Sequence, residues 1–274
     1  MDYRTAFVTG APSGIGLELS KRLAKEGIEV AIAARREDEL RKLEREIVEQ
    51  GGRARVYPLD VADPHVTTRT LERADDEMGG IDLVVANAGV GNHRWSGKLT
   101  YEDCAPILAV NIHGAVATLT ALLPRMVERK RGHLVGVSSL AQYRGMPYSA
   151  AYSASKAFLS HFLEAMRVDL RATPVAITDV RPGFVRTPMT APSTFPMPFL
   201  IDVDRAVDAI VSGIHSRAPI VAFPWQLATI MRAGTLMPTT VYDRVVAGYR
   251  KAPPAGGPKA APSNTKKTAE GRAE

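Results

Sequence analysis

A tyrosine and a lysine stand four residues apart in the segment YSAAYSASK, which spans residues 148–156. On a helix Tyr152 and Lys156 would lie on one face, because side chains four residues apart stack one above the other. A free tyrosine has a pKa of about 10, and a nearby ammonium lowers it by favouring the phenolate. Such a phenol can give a proton to a carbonyl oxygen or take one from an alcohol. The pair therefore favours proton transfer, although a solvated surface row has the same spacing. Tyr148 lacks a lysine at this spacing.

A glycine-rich turn near the N-terminus adds a second chemical signal. The stretch TGAPSGIG follows a short apolar run and contains Gly10, Gly14 and Gly16. Glycines let the backbone turn sharply and approach a pyrophosphate, and a helix that starts near Ile15 would offer free N–H groups. This context favours dinucleotide binding over a plain tight turn. No lysine follows the last glycine, which disfavours a Walker-type phosphate loop.

The end of the second apolar run indicates which dinucleotide is bound. In NAD-binding sheets an acidic residue there accepts hydrogen bonds from the ribose hydroxyls. This chain has Ala34 at that position, followed by Arg35 and Arg36. A guanidinium can bind a 2′-phosphate through two parallel hydrogen bonds. The arginines favour NADP(H), with NAD(H) left open, unless they cap the sheet edge or pair with Glu37 and Asp38.

The elements that must position these residues alternate between strand and helix. Six short β-branched runs predict strands at Thr5–Thr9, Glu29–Ala33, Arg55–Leu59, Leu83–Ala86, Leu134–Val137 and Val175–Val180. Apolar residues recur at helical spacing between them. Alternating strands and helices predict parallel strands joined by right-handed crossovers. We therefore expect an α/β fold, with a doubly wound parallel sheet in a three-layer α/β/α arrangement.

The pattern loosens after the sixth strand. A proline-rich stretch predicts an irregular lid over about residues 187–202, of the kind that often closes over a substrate. A helix, a short strand and two apolar helices follow, over Asp202–His215, Ile220–Ala222 and 224–250. The last two helices would cover the substrate pocket or a subunit contact. Peripheral membrane binding by residues 219–250 is the weaker interpretation, because the segment lacks a strong polar face.

Size and composition are those of a globular protein. The chain has 274 residues, 45% of them hydrophobic, and we expect a single domain over residues 1–250. Cys104 is the only cysteine, so nothing indicates an oxidising compartment. No signal peptide and no uninterrupted apolar run of about 18 residues is visible. We expect a soluble, cytoplasmic protein without a transmembrane segment.

Charge and histidine spacing argue against two other classes of function. The net charge is +6, and residues 251–274 hold five basic residues against two acidic ones. We expect this basic tail to be disordered and solvated and not to bind nucleic acid, because its basic residues are sparse and have no aromatic neighbours. His113, His133 and His161 have no ligand-like spacing with one another or with Cys104. We expect no metal site.

Together with downstream motifs, these residues resemble the short-chain dehydrogenase/reductase family over roughly residues 4–250. The motifs stand in the family's order: TGAPSGIG, Asp60-Val61, Asn87-Ala88-Gly89, Asn111, a serine pair, YSASK and PGFVRT. Several motifs in one order are more specific than any one of them. The resemblance implies a Rossmann-type sheet of seven strands, an oxidoreductase activity and a homodimer or homotetramer.

By this resemblance the cofactor site extends well beyond the glycine loop. Asp60 would contact the adenine amino group, with the Val61 backbone beside it. The turn Asn87-Ala88-Gly89 would lie against the adenosine ribose. The segment that would hold the nicotinamide carboxamide, largely through backbone groups, contains Pro182, Gly183, Val185 and Thr187.

The glycine loop departs from the family pattern at one position. Many NADP(H)-preferring members carry a basic residue just before the second glycine, where this chain has Ser13. Recognition of the 2′-phosphate would then rest mainly on Arg35. This departure leaves room for dual cofactor use.

The resemblance also adds two residues to the catalytic pair. A family serine lies thirteen residues before the tyrosine, which selects Ser139 and not Ser138. Ser139 would donate a hydrogen bond to the substrate oxygen. Asn111 resembles the asparagine that disturbs its helix and holds a water in the proton relay to Lys156. The alternative for Asn111 is a side chain bonded to its own helix backbone.

The implied reaction is hydride transfer between the nicotinamide C4 and a carbonyl carbon, with Tyr152 as general acid. An apolar substrate is suggested by the lid side chains Met189, Phe195, Met197, Phe199 and Leu200. The lid has no arginine to hold a carboxylate other than Arg186, which stands directly before it. The alternatives are an NAD(P)+-dependent secondary-alcohol dehydrogenase working in oxidation and a cofactor-binding sensor or scaffold without turnover. Tyr148 is expected near the pocket mouth, where it would shape substrate choice.

Overall fold

Seven parallel strands form one sheet in residues 3–192 and 196–247, which are the residues that the structure, a computed structural model, describes. The strands are Thr5–Thr9 (β1), Glu29–Ala34 (β2), Arg53–Pro58 (β3), Leu83–Ala86 (β4), Gly132–Val137 (β5), Val175–Pro182 (β6) and Ile220–Phe223 (β7). Their order across the sheet is β3-β2-β1-β4-β5-β6-β7. Because the order reverses between β1 and β4, a crevice opens there at the carboxyl ends of the strands. The predicted doubly wound sheet is confirmed.

Helices cover both faces of this sheet. They are Gly14–Lys25 (α1), Glu37–Glu49 (α2), Pro64–Glu77 (α3), Tyr101–Leu108 (α4), Ala115–Thr120 (α5), Leu123–Glu128 (α6), Ala150–Asp169 (α7), Val203–His215 (α8), Trp225–Gly234 (α9) and Thr239–Ala247 (α10). One apolar core lies between the sheet and α1, α2 and α8, and a second lies between the sheet and α3, α5 and α7. The three-layer arrangement follows from these two cores.

Side-chain spacing explains why the elements form where they do. Every residue of β1, β4 and β5 is buried, as expected for parallel strands covered on both faces. In α2 the buried residues are Leu40, Leu43 and Ile47, which share one stripe of an otherwise charged helix. Its first turn carries Glu37, Asp38 and Glu39, which are favourable at the positive end of the helix dipole.

Among the described residues, the stretch Tyr101–Glu128 is long and apolar enough to span a membrane by length and composition. Its most apolar window has a mean hydropathy of 1.6 and is 44% buried in the protein. The stretch consists of α4, a π-helical turn at Ala109–Gly114, α5 and α6, and it packs against α3 and α7. These contacts are those of a core helix under the sheet.

The C-terminal part is held more loosely than the rest. The base of the lid is closed by a parallel bridge between Val185 and Ile201, and the Arg186 N–H donates to the Ile201 carbonyl at 2.9 Å. α9 buries Leu227 alone, and α10 buries no residue. α9 ends at Gly234 and α10 begins at Thr239, so the break predicted at Pro238 lies directly before α10. The lid residue Phe195 and the basic tail over 251–274 lie outside the described residues.

Candidate active site

The glycine loop joins β1 to α1 at the edge of the crevice. Gly10 has a φ of +66° and Gly14 a φ of +54°, in the left-handed region that favours glycine. A Cβ atom on Gly16 would lie 2.3 Å from the Gly10 carbonyl oxygen, so no side chain fits there. The turn is therefore closed tightly enough for a pyrophosphate to reach the N-terminus of α1. Ser13 is the N-cap residue of α1, yet its side chain makes no capping hydrogen bond. Ile15 lies in the first turn of α1.

The turn after β4, Asn87-Ala88-Gly89, is hydrogen-bonded to the glycine loop from the other side of the crevice. The Asn87 side-chain amide donates to the carbonyls of Thr9 at 2.9 Å and Gly10 at 3.2 Å. The backbone N–H groups of Asn87 and Ala88 both donate to the Thr9 hydroxyl at 3.1 Å. Thr9 was not singled out from the sequence, although it is the residue that joins the two turns. The expected contact of Asn87-Ala88-Gly89 with the adenosine ribose stays a prediction.

The residues expected to contact the adenosine half of the cofactor follow the ends of β2 and β3. Arg36 pairs with Glu39 at 2.8 Å and, among the described residues, not with Glu37 or Asp38, the partners of the alternative interpretation. Arg35 is exposed and makes no ion pair within the described part of the chain. Asp60 is also exposed, and one of its carboxylate oxygens accepts from the Ala62 N–H at 3.0 Å. Val61 is buried beside it.

The proposed catalytic pair lies near the start of α7. Lys156 is 5% exposed, and its Nζ donates to the Val137 carbonyl at 2.8 Å and lies 5.7 Å from the centroid of the Tyr152 ring. Ser139, at the carboxyl end of β5, donates to the Pro182 carbonyl at 3.3 Å and accepts from the Ala141 N–H at 3.1 Å. Ser138 is bonded elsewhere, to Asp179 of β6.

Burial decides the proton affinities of the pair. Desolvation raises the pKa of Tyr152, and a hydrogen bond with the Ser139 hydroxyl offsets only part of that rise. The expectation of a lowered Tyr152 pKa is therefore wrong for the protein alone, because desolvation of the phenol outweighs the effect of its hydrogen bond. Burial also lowers the pKa of Lys156 to about 8, against an opposing effect of Asp179.

Asn111 lies in the π-helical turn, where the helix is locally widened. Its side-chain oxygen accepts from the Val90 N–H at 2.8 Å, and its amide donates to the Val90 carbonyl at 2.9 Å and to the Ser155 hydroxyl at 3.0 Å. These bonds reach other segments, in contrast to the alternative of a bond to its own helix. Asn111 thus ties the turn after β4 to the catalytic helix, next to Lys156.

Gly89 shows how closely the candidate catalytic side chains approach the turn after β4. A Cβ atom on Gly89 would lie 3.4 Å from the Lys156 Nζ and 3.5 Å from the Asn111 side-chain oxygen. On Gly91 it would lie 3.2 Å from the Tyr152 ring. Gly91 and Ser155 are site residues that sequence reasoning missed. The only available signal was the second glycine of the NAGVG stretch.

The segment that begins at the end of β6 lies between the glycine loop and Ser139. The Pro182 carbonyl accepts from Ser139, and the Gly183 N–H donates to the Phe223 carbonyl at 2.7 Å. Val185 is buried at the lid base. A Cβ atom placed on Gly14 would lie 3.2 Å from the Thr187 side chain. The four residues expected to hold the nicotinamide therefore lie along the crevice.

Tyr148 does not belong to the catalytic helix. It precedes α7, has a φ of +62° and is 9% exposed, and its carbonyl accepts from the Arg94 N–H at 2.8 Å. Its backbone thus fixes the loop that leads into α7. The expected influence on substrate choice stays a prediction.

A surface cavity of about 550 Å³ lies beside α7, β7 and α9, but it is not the catalytic crevice. It is lined by Gln142, Tyr143, Arg181, Trp225 and Arg232, among others, and by none of the four candidate catalytic residues. The crevice itself is bordered by the glycine loop, the turn after β4 and the start of α7. Proton-transfer groups beside a loop suited to a pyrophosphate are the arrangement of a dinucleotide-dependent oxidoreductase.

Comparison with known proteins gives the family. Residues 4–196 match the model of the short chain dehydrogenase family. A Myxococcus xanthus protein named uncharacterized oxidoreductase is 49% identical over 243 residues, which cover 89% of this chain and 96% of the relative. The chain therefore belongs to the short-chain dehydrogenase/reductase family, and it is an NAD(P)-dependent oxidoreductase.

Solved structures agree with this assignment. A metagenomic short-chain oxidoreductase in complex with NADP has a TM-score of 0.70 and 30% identity, covering 80% of this chain and 96% of its own. A short chain dehydrogenase from Mycobacterium paratuberculosis bound to NAD has a TM-score of 0.71 and 25% identity, covering 80% and 94%. Neighbours with either dinucleotide share this fold.

Proposed function

We propose that this enzyme reduces an apolar ketone or aldehyde with NADPH, using Tyr152 as the general acid. The observation that carries the proposal is the grouping of Tyr152, Ser139 and the buried Lys156 at the crevice that the glycine loop borders. Bound NADPH supplies the hydride. The side chains of the protein orient the carbonyl group and deliver the proton.

The proton affinities support reduction as the main direction. A raised pKa keeps the Tyr152 phenol protonated at neutral pH, which is the form that a general acid needs. Ser139 can donate a second hydrogen bond to the carbonyl oxygen as negative charge develops on it. Lys156, with a pKa of about 8, is mainly an ammonium at pH 7, and its charge stabilises the phenolate left after proton transfer.

Arg35 supports NADP(H) as the preferred cofactor. Its guanidinium is exposed at the end of β2, without an ion pair in the described residues, whereas Arg36 already has Glu39 as a partner. The Ser13 hydroxyl is not used to cap α1, so it can add a hydrogen bond to the 2′-phosphate. A single guanidinium still leaves weaker binding of NAD(H) open.

The lid supports an apolar substrate. Met189 and Phe199 are 54% and 46% exposed, respectively, which leaves apolar surface available at the lid. Arg186 is paired with Asp202 at 2.9 Å, so the lid arginine is not free for a substrate carboxylate. A neutral carbonyl on an apolar body fits these side chains best.

The two alternatives receive less support. Oxidation of a secondary alcohol needs the Tyr152 phenolate as a base, and desolvation disfavours that form. A sensor without turnover would not need the contacts that hold Asn111, Ser139 and Lys156 around the tyrosine. Initial rates in both directions with NADP(H) and NAD(H) separate the oxidative alternative from the reductive one.

The proposal includes a homodimer or homotetramer that acts in the cytoplasm. Apolar side chains left exposed on α9 and α10 support contact with a second copy, since large exposed apolar patches often mark interfaces. Light scattering of the purified protein would report the oligomeric state. A monomer at micromolar concentration would contradict this part of the proposal.

The test is consumption of NADPH with a panel of ketones, aldehydes, steroids and quinones. Wild type should reduce at least one apolar carbonyl, and Tyr152→Phe should not. Tyr148→Phe is the matched control, because it removes a phenol hydroxyl from the same stretch and should leave turnover in place. Turnover by Tyr152→Phe at the wild-type rate would overturn the proposal.

A further inference from the structure

A group of buried polar side chains lies behind the catalytic helix and has no part in the steps above. Asp179 and Arg181 stand two residues apart on β6, so both point to the same face of the sheet. That face is the one packed by α7, because Ile177 shares its core with Leu159 and Leu163. Asp179 is 3% exposed and Arg181 9% exposed, which is rare for charged residues unless they are paired.

Asp179 is held from two sides. The Arg181 Nε donates to one carboxylate oxygen at 2.6 Å, and the Ser138 hydroxyl donates to the other at 2.5 Å. Arg181 is fixed in turn by a hydrogen bond from its Nη1 to the Tyr143 hydroxyl at 3.0 Å. The Asp179 carboxylate thus accepts two hydrogen bonds next to the end of β5, one of them from a guanidinium.

Lys156 is hydrogen-bonded to the same end of β5. The Lys156 Nζ donates to the carbonyl of Val137, and Val137 is bonded to Ser138 in the chain. Lys156 is therefore bonded to the last residue of β5, Val137, and Asp179 to the residue that follows it, Ser138. The charge of Asp179 raises the pKa of Lys156 against the larger, lowering effect of burial.

Among the described residues, three other charged or titratable groups lie near Lys156 and Asp179. They are Tyr152 of α7, Arg181 of β6 and Tyr143 of the loop after β5. Arg181 also borders the surface cavity together with His161 and Glu164 of α7 and Arg232 of α9. His133 of β5 bonds to Tyr3 and Thr178 and is not part of this group.

We propose that Asp179 is a positioning residue that keeps Lys156 protonated, and that Arg181 sets how much of the Asp179 charge the lysine experiences. The proposal rests on the catalytic role of Lys156 given above. A buried lysine without a nearby anion loses its proton more readily, because desolvation penalises the ammonium. The Asp179–Arg181 pair would therefore set the upper pH limit of carbonyl reduction. Ser138, the serine without a catalytic role, would hold Asp179 in place.

The test uses two variants with opposite expected effects. Asp179→Asn removes the anion and leaves Arg181 positive, so the pH at which Lys156 loses its proton should fall by about one unit or more. Arg181→Gln keeps a hydrogen-bond donor and leaves Asp179 unopposed, so that pH should rise. The double variant should lie between the two single variants. A purely structural role would lower activity in both without opposite shifts.

Two readouts are needed on the full-length protein. The first is the basic limb of the kcat/KM profile for NADPH-dependent reduction. The second is the pH titration of the Lys156 ammonium by ¹⁵N NMR of labelled lysines, assigned with Lys156→Arg. Shifts of opposite sign in both readouts support the proposal. Shifts of the same sign, or no shift, overturn it.

The NMR titration also separates this proposal from the proposed function. If wild type reduces no carbonyl but the titration midpoints still move in opposite directions, the function fails and the role of Asp179 in the protonation of Lys156 stands. If Asp179→Asn does not fold, the upward shift expected in Arg181→Gln decides the question alone.

Discussion

The nucleotide-binding half and the C-terminal helices of this enzyme are stabilised in different ways. β1, β4 and β5 bury every residue, and the glycine loop beside them has no room for a single extra carbon at Gly16. α9 buries Leu227 alone, and α10 buries nothing. Large apolar side chains stay exposed there, at Trp225, Ile230, Leu236, Val241 and Val245.

A few local contacts hold the C-terminal helices on the rest of the protein, among them a hydrogen bond from the Tyr242 hydroxyl to the Gly145 carbonyl at 2.7 Å. The Arg144 Nη1 donates to the carbonyls of Gly234 and Met237, and its guanidinium lies 4.1 Å from the centroid of the Tyr242 ring. Leu227 approaches a Cβ position on Gly183 to 2.8 Å. A densely packed region tolerates few substitutions, whereas a region that is held by a few contacts tolerates more. Substitutions should therefore abolish function in the first region and adjust it in the second.

The largest effect is expected at Tyr152. Tyr152→Phe removes the proton donor and keeps the ring, so kcat should fall by about 100- to 10,000-fold. The Kd for NADPH, measured by fluorescence, should change by only a few-fold, because the glycine loop is untouched. Tyr148→Phe should stay close to wild type in both quantities. A comparable loss of kcat in the two variants would contradict the assignment.

A pair of glycine variants compares the two regions directly. Gly16→Ala would place its Cβ against the Gly10 carbonyl, so overpacking should cost about 1–3 kcal/mol of unfolding free energy and greatly weaken NADPH binding. Gly234→Ala, at the end of α9, meets no atom of the described residues within 4 Å. It should leave stability and binding almost unchanged. Urea unfolding and NADPH titration check both, and equal effects would remove the distinction between the regions.

The preference for NADPH over NADH should depend on Arg35 more than on Arg36. Arg35→Asp removes a charge-assisted hydrogen bond worth about 1.5–3 kcal/mol, so the Kd for NADPH should rise by about 10- to 100-fold while that for NADH changes little. Arg36→Asp should have a smaller effect, because Arg36 is already paired with Glu39. If Arg36→Asp weakens NADPH binding more than Arg35→Asp, the assignment of Arg35 is wrong.

The smallest effects are expected in the C-terminal helices. Leu227→Ala opens space beside Gly183 and should cost about 2 kcal/mol, the lower end for a buried leucine, because α9 has few other buried contacts to lose. It should raise the KM of the carbonyl substrate more than the KM of NADPH. Leu236→Ala changes a side chain that is 87% exposed and should stay within about 0.5 kcal/mol. Thermal unfolding and steady-state kinetics measure both. A loss of NADPH binding in Leu227→Ala would show that the regions are not separate.

Local sequence patterns predicted the sheet and the place of the main motifs. Strand runs alternating with helical spacing sufficed for the doubly wound order, because each element is defined by residues close in the chain. The family resemblance, through a serine thirteen residues before Tyr152, selected Ser139, and the structure places that serine against Tyr152 while Ser138 bonds to Asp179. The catalytic roles of these residues stay predictions.

Contacts between distant segments left no signal in the sequence. The bonds from Asn111 to Val90 and Ser155, and from Arg144 to the end of α9, join residues with no fixed spacing. The direction of the Tyr152 pKa shift was missed for a related reason. Spacing shows that a lysine is near, but only the fold shows how completely the hydroxyl is desolvated.

The most direct test of hydride transfer uses NADPH that carries deuterium at the transferred C4 position. With an apolar ketone found in the substrate screen, wild type should place one deuterium on the carbinol carbon of the product alcohol. In Tyr152→Phe, formation of the deuterated alcohol should slow by the same factor as the kcat measured with unlabelled NADPH. Product alcohol without deuterium at that carbon would contradict the account.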